Sequence, residues 1–77
     1  MLTVRDVIEV NSEILGGKPV FKGTRVAIQT LFDYLETTSL SDFLEGYPSV
    51  KREQAEAVIH LAEKLLTSTS LVYESAA

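Results

Sequence analysis

Residues 16–25, Gly-Gly-Lys-Pro-Val-Phe-Lys-Gly-Thr-Arg, constrain the fold of this chain more than any other stretch. Gly16 and Gly17 admit a turn at positive φ that residues with a Cβ resist. Pro19 fixes its own φ and pushes Lys18 toward an extended conformation. Val20 and Phe21 favour a strand. Lys22-Gly23-Thr24 then permits a second tight turn. The expected product is a short, sharply bent β element that displays Lys18, Lys22 and Arg25. A cationic element of this kind beside helices points to an anion, foremost a nucleic-acid backbone.

The chain has 77 residues, one domain's worth, and so only a modest core. Dimerisation is a common remedy for that shortage of buried surface. The sequence contains no cysteine, which excludes disulfides and cysteine-based zinc or redox sites and fits a reducing compartment. No apolar run approaches the ~20 residues that span a bilayer. Arg5, Asp6 and Glu9 make residues 1–10 a poor signal peptide. A soluble, cytoplasmic protein without membrane partners is the expectation. The net charge of −4 argues against indiscriminate nucleic-acid binding. Its distribution is uneven, with residues 1–26 at net +1 (four cations, three acids) and residues 27–77 at −5 (three cations, eight acids). The acidic half suits a basic protein partner, although ordinary solubilising surface is the commoner meaning of such charge.

Along the chain, Val7-Ile8-Glu9-Val10 reads as a short strand. Residues 11–17 form a connection in which Ile14 and Leu15 are expected to pack inward. Residues 18–21 and 25–27 form extended pieces around the Lys22-Gly23-Thr24 turn. A first helix is predicted over about 28–36, with Ile28, Leu31, Phe32 and Leu35 on one face. Thr37-Thr38 should end it. A second begins after Ser39, an N-cap with Asp42 three residues on, and repeats the spacing at Leu40, Phe43, Leu44 and Tyr47 before Pro48 stops it. A third covers about 51–66, with Ala55, Val58, Ile59, Leu61, Ala62, Leu65 and Leu66 as its stripe. Residues 67–77 lose the period and read as a tail with one apolar patch, Leu71-Val72-Tyr73. The fold class is mainly α, a small α+β arrangement in which short N-terminal strands precede three helices.

The second and third helices with the Gly46-Tyr47-Pro48-Ser49 turn have the pattern of a helix-turn-helix. In that motif the N-terminal residues of the second helix reach bases, here Lys51, Arg52, Glu53, Gln54 and, further along, Glu56. Arg reads guanine and Gln reads adenine in bidentate fashion. The bland alternative is a surface helical hairpin with incidental charges. His60 is the single histidine, and Glu56 and Glu63 share its face, a pattern far commoner for solvated ion pairs than for a metal site. No nucleophile–base constellation and no phosphate loop is legible. No catalytic residue, metal or cofactor is therefore expected.

Three runs, Asn11, the stretch Ile14 to Val26, and Phe43-Leu44-Glu45-Gly46-Tyr47-Pro48, resemble the small prokaryotic family known as domain of unknown function 433. The resemblance covers about residues 7–66. It implies a winged helix-turn-helix-like domain over 1–66 and a C-terminal tail over 67–77. It also implies an antitoxin of a type II toxin-antitoxin system that neutralises a PIN-type ribonuclease toxin and, as a homodimer, represses its own operon. On that basis Lys18, Lys22, Arg25, Lys51, Arg52 and Gln54 are the candidate DNA-binding residues. Gly16, Gly17, Pro19, Gly23 and Thr24 are the structural turn residues. Three positions depart from the family pattern, Ser12 after Asn11 and Ala27 where proline is frequent, and Lys51 where a capping serine is common. The last removes a cap worth about 1 kcal/mol unless Ser49 replaces it. The competing reading is a protein-binding module that inhibits or scaffolds a partner without touching DNA. A ribbon-helix-helix dimer is disfavoured, because that fold has two helices per subunit and three are legible here.

Overall fold

The turn-rich first third of the chain folds into a miniature antiparallel sheet, and the helices assemble around it. A computed structural model describes residues 3–68. In chain order these form α1 (Val4–Val7), β1 (Ile8–Glu9), a 3-10 turn (Leu15–Gly17), β2 (Val20–Phe21), α2 (Ile28–Leu35), α3 (Leu40–Gly46) and α4 (Arg52–Ser68). β1 and β2 pair antiparallel with Ile8 opposite Phe21 and Glu9 opposite Val20. Ala27 adds a bridge to Val20 on the other side. The expected extended pieces and the three longer helices are therefore present.

Several details differ from the sequence reading. Val7 closes a one-turn helix rather than opening a strand. Thr3 and Asp6 make that helix possible, since the Thr3 N–H and hydroxyl both donate to Asp6 Oδ2, at 2.8 and 3.0 Å. Leu15 is exposed rather than packed inward, and adopts φ 49°, followed by Gly16 at 65° and Gly17 at 91°. The two glycines accept this left-handed path at no steric cost, whereas Leu15 is held there by its neighbours. Helix α4 runs two residues past the expected end, and Leu65 and Leu66 of its apolar stripe are each 66% exposed. The patch Leu71-Val72-Tyr73 lies outside the described residues.

The helix boundaries have local causes. The Thr38 N–H and hydroxyl both donate to the Tyr34 carbonyl, at 2.7 and 2.9 Å, which closes α2. Ser39 Oγ accepts from the Asp42 N–H at 3.2 Å and caps α3 as expected. At α4 the missing serine cap is replaced from inside the helix, because the Lys51 N–H donates to Gln54 Oε1 at 3.0 Å. This is one half of a capping box.

The core comprises Val7, Phe21, Leu31, Phe43, Val50, Ala55 and Val58, one or two residues from nearly every element. Phe43 is its hub. Its ring centroid lies 5.9 Å from that of Phe21, 5.7 Å from Tyr34 and 5.2 Å from Tyr47. Tyr34 and Tyr47 meet edge to face at 5.6 Å. A hydrogen bond between their hydroxyls pushes the pKa of Tyr47 above the ordinary tyrosine value. Phe32, assigned by spacing to the core face of α2, is instead 36% exposed beside the fully buried Leu31.

Truncating the hub with Phe43→Ala should destabilise the domain by about 3–5 kcal/mol in denaturant unfolding. At Gly23, φ is 81° and an added Cβ would meet nothing within 4 Å. Gly23→Ala should therefore cost about 1–2 kcal/mol from backbone conformation alone. An unchanged unfolding midpoint would show that the 22–24 turn can flip to a right-handed path.

Candidate nucleic-acid interface

The Lys22-Gly23-Thr24 turn owes its shape to three kinds of bond. Thr24 Oγ1 donates to the Phe21 carbonyl at 2.8 Å and accepts from the Val26 N–H at 3.0 Å. The backbone closes the loop through Thr24 N–H to Phe21 O, at 2.9 Å, and Phe21 N–H to Val26 O, also 2.9 Å. The Lys22 N–H donates to Val7 O at 2.9 Å, which ties the turn to the end of α1. Gly23 completes it at positive φ.

Gln54 clasps this turn to the start of α4. Its Oε1 accepts from the Lys51 N–H, and its Nε2 donates to the Lys22 carbonyl at 3.1 Å. One amide thus joins residues 32 positions apart. The Lys22 Nζ reaches the Arg5 carbonyl at 3.2 Å. The backbones of Lys22 and Lys51 thus meet at one amide, the Lys22 ammonium bonds the Arg5 carbonyl, and all three residues are exposed. Arg25 follows in the same turn, exposed and without a hydrogen-bond or ion-pair partner among the described residues. Arg5 had no signal in the sequence. It becomes part of the cluster only because α1 forms and packs against α4.

The remaining candidates lie apart. Arg52 turns toward α3, with Nη2 3.4 Å from Ser41 Oγ and Nη1 3.5 Å from Glu56 Oε2. Lys18 lies at the start of α2, on a different surface, because the Pro19 carbonyl accepts from the Ile28 N–H at 3.0 Å. Gln54 was read as a base-contacting residue. With both ends of its amide engaged within the chain, its place in this structure is to position the cations around it. His60 and Glu63 form a loose exposed pair at 3.9 Å.

Two acids border the cluster. Glu9 Oε1 lies 3.5 Å from the Gly23 N–H. Asp6 is held in its ionised form, with a pKa below the ordinary aspartate range, chiefly by the Thr3 N–H and hydroxyl and to a smaller extent by the Lys22 charge. Glu53 adds a third acid in the first turn of α4, so Arg5, Lys22, Arg25 and Lys51 stand against three carboxylates on a chain that is acidic overall.

The model for a protein of unknown function, DUF433, matches residues 8–62, most of the chain. The chain belongs to the DUF433 family. A crystal structure of a DUF433 member protein from Anabaena variabilis ATCC 29413 superposes with a TM-score of 0.66 at 22% identity, over 87% of this chain and 67% of that one. At that identity the likeness establishes the shared DUF433 fold. No curated protein matches the chain. Among the described residues no helix is long and apolar enough to cross a membrane.

Two outcomes test the clasp. Gln54→Ala removes a helix cap and a tertiary hydrogen bond, so it should cost about 1–2 kcal/mol and speed amide exchange at Gly23 and Thr24. A loss of stability without faster exchange in the turn would leave Gln54 as a helix cap only. Asp6 supplies the pH dependence. Its depressed pKa means that its contribution to stability is present above the ordinary aspartate value and is lost as pH falls through the folded value. Asp6→Asn should flatten that acid limb in a pH series of thermal melts.

Proposed function

We propose that this chain is an antitoxin-like DNA-binding protein that represses its own operon and neutralises a PIN-type ribonuclease toxin. The toxin part of this reading rests on the family resemblance in the Gly-Gly-Lys-Pro and Lys-Gly-Thr-Arg runs. One observation supports the DNA part most directly, the Gln54 clasp that places Lys22 beside the first residues of α4. A helix N-terminus carries partial positive charge and unpaired N–H groups, and both favour a phosphate. Lys51 stands at that N-terminus, and Lys22 is tied to it through Gln54. Helix α4 follows a tight turn after α3, the connectivity in which a second helix enters the major groove. The bent turn then rests on the adjacent backbone in the manner of a wing. The chain has no catalytic task in this reading and needs no cofactor.

The net charge of −4 favours the second reading, a module that binds a protein partner and no DNA. The two are separated by one set of measurements. In gel shifts with the DNA upstream of its own gene, wild type should bind tighter than it binds random duplex. Its affinity should fall steeply with salt. Lys22→Glu with Lys51→Glu should abolish the shift and leave the far-ultraviolet circular dichroism unchanged. Equal affinity for random duplex, or indifference to the double substitution, would refute operator binding. Co-purification with the product of a neighbouring nuclease-like reading frame under those conditions would select the protein-binding module.

A further inference from the structure

Phe32 lies in a groove of about 690 Å³ beside α2. Ile8, Pro19 and Ile28 line its apolar part, and Lys18, Asp33 and Glu36 border it. Ile28, Phe32 and Glu36 follow at i, i+4 and i+8, one line down the helix. Leu31 takes the buried side of α2, whereas Phe32 is 36% exposed. A large ring is thus left partly in water inside a hollow, and covering it is favourable.

Charge indicates what covers it. From Val26 to Val50 the chain carries four acids, Asp33, Glu36, Asp42 and Glu45, and no cation. That segment builds α2 and α3, which pack against each other. All four acids are exposed, and among the described residues none has an ion-pair partner. Asp33 lies in the last turn of α2 and Glu36 at its C-cap. The carbonyl end of a helix adds partial negative charge there, so a cation is favoured at that end of the groove. Lys18 stands at the other end, beside the start of α2, because the Pro19 carbonyl accepts from the Ile28 N–H at 3.0 Å. Positions 28 and 36 are about 12 Å apart at 1.5 Å per residue.

We propose that the groove receives a segment of another protein, one that carries an aromatic or branched aliphatic anchor with Lys or Arg to one side of it. The anchor enters beside Phe32 and Ile28, and the cations lie over Asp33 and Glu36. Lys18 sets the direction, since it repels a cation at its own end and pairs with an acid there. A span of about 12 Å is about four residues of extended chain or eight of helix, so anchor and cations belong to one short segment. An apolar anchor in a pocket with a charged border is a common mode of segment recognition. Opposite charge guides the encounter and fixes the orientation, and the anchor slows release. A second copy of this chain is a poor occupant, because its own α2 would bring Asp33 and Glu36 against the same acids. A nucleic acid is repelled by the same carboxylates. The inference rests on neither the operator nor the toxin reading, and it uses residues outside the Gln54 clasp.

Panning short random peptides displayed on phage against the full chain tests it, followed by fluorescence anisotropy with the enriched peptide made synthetically. The enriched peptides should share an apolar anchor with Lys or Arg within about four residues of it. Phe32→Asp should weaken binding of the synthetic peptide about tenfold or more. Asp33→Lys with Glu36→Lys should do the same with unchanged circular dichroism. A peptide whose cations are replaced by Glu should bind that double variant about as tightly as the original peptide binds wild type. Enrichment of acidic or uncharged peptides, or of none, overturns the proposal. So does binding indifferent to Phe32→Asp, or a charge exchange that fails to restore affinity. Should Phe32→Asp unfold the domain, the charge exchange decides alone, because it alters exposed residues only. A wild-type dimer in sedimentation equilibrium that the peptide leaves intact and Phe32→Asp splits would show the groove filled by a second copy, and would also overturn it. The Lys22→Glu, Lys51→Glu variant should bind the peptide like wild type. Failure of the operator reading would thus be seen separately from failure of this one.

Discussion

The contact between Phe43 and its three aromatic neighbours is the constraint from which the rest of the structure follows. Phe43 comes from α3, Phe21 from β2, Tyr34 from α2, and Tyr47 from the turn that leads to α4. A domain this small buries few side chains completely, and Phe43 and Phe21 are the two bulkiest of them. Aromatic rings supply the largest buried area per residue and gain further from tilted and edge-to-face geometry. Two-residue strands and a one-turn helix could not persist without such a nucleus, because their own hydrogen bonds are too few. Holding β2 against α3 also fixes where the turn after β2 must emerge.

That turn emerges beside α4, and a single polar side chain secures it. Gln54 closes the first turn of its own helix and binds the Lys22 carbonyl. The local consequence is a well-defined helix start without a serine cap. The wider consequence is that cations distant in sequence share one surface. The first 26 residues already carry a slight cationic excess, and this placement adds Lys51 to it. The opposite side of α2 has another nature, an apolar hollow with unpaired charges of both signs on its rims.

Much of the architecture was legible in the chain itself. The i, i+3, i+4 spacing located α2, α3 and α4, Ser39 marked one start, and Gly16, Gly17 and Gly23 all adopt the positive φ expected of them. The failures have identifiable causes. Spacing assigned Phe32 to the core, but the apolar arc on α2 is wider than the surface available to cover it. The stripe of α4 likewise continues through Leu65 and Leu66, where the small body of the domain ends. Helix α1 escaped notice because four residues are too short for a period to be read. Of the six candidate interface residues, hydrogen bonds join Lys22, Lys51 and Gln54, Arg25 follows in the same turn as Lys22, Arg52 turns to Ser41 and Glu56, and Lys18 lies beside the start of α2.

The sequence by itself determined the local conformations, since glycine, proline and capping residues act through sterics and hydrogen bonds a few positions away. It also determined the family, through the Gly-Gly-Lys-Pro to Gly-Thr-Arg run and the Tyr47-Pro48 turn. Only the tertiary structure decided which charges are neighbours. Lys22 and Gln54 are separated by 32 positions, and their bond depends on how β2 and α4 pack on a shared core. The roles of Gln54 as a clasp, Arg5 as a member of the cationic surface, and Lys18 as part of a separate groove follow from that packing. No pattern confined to one element could have specified them.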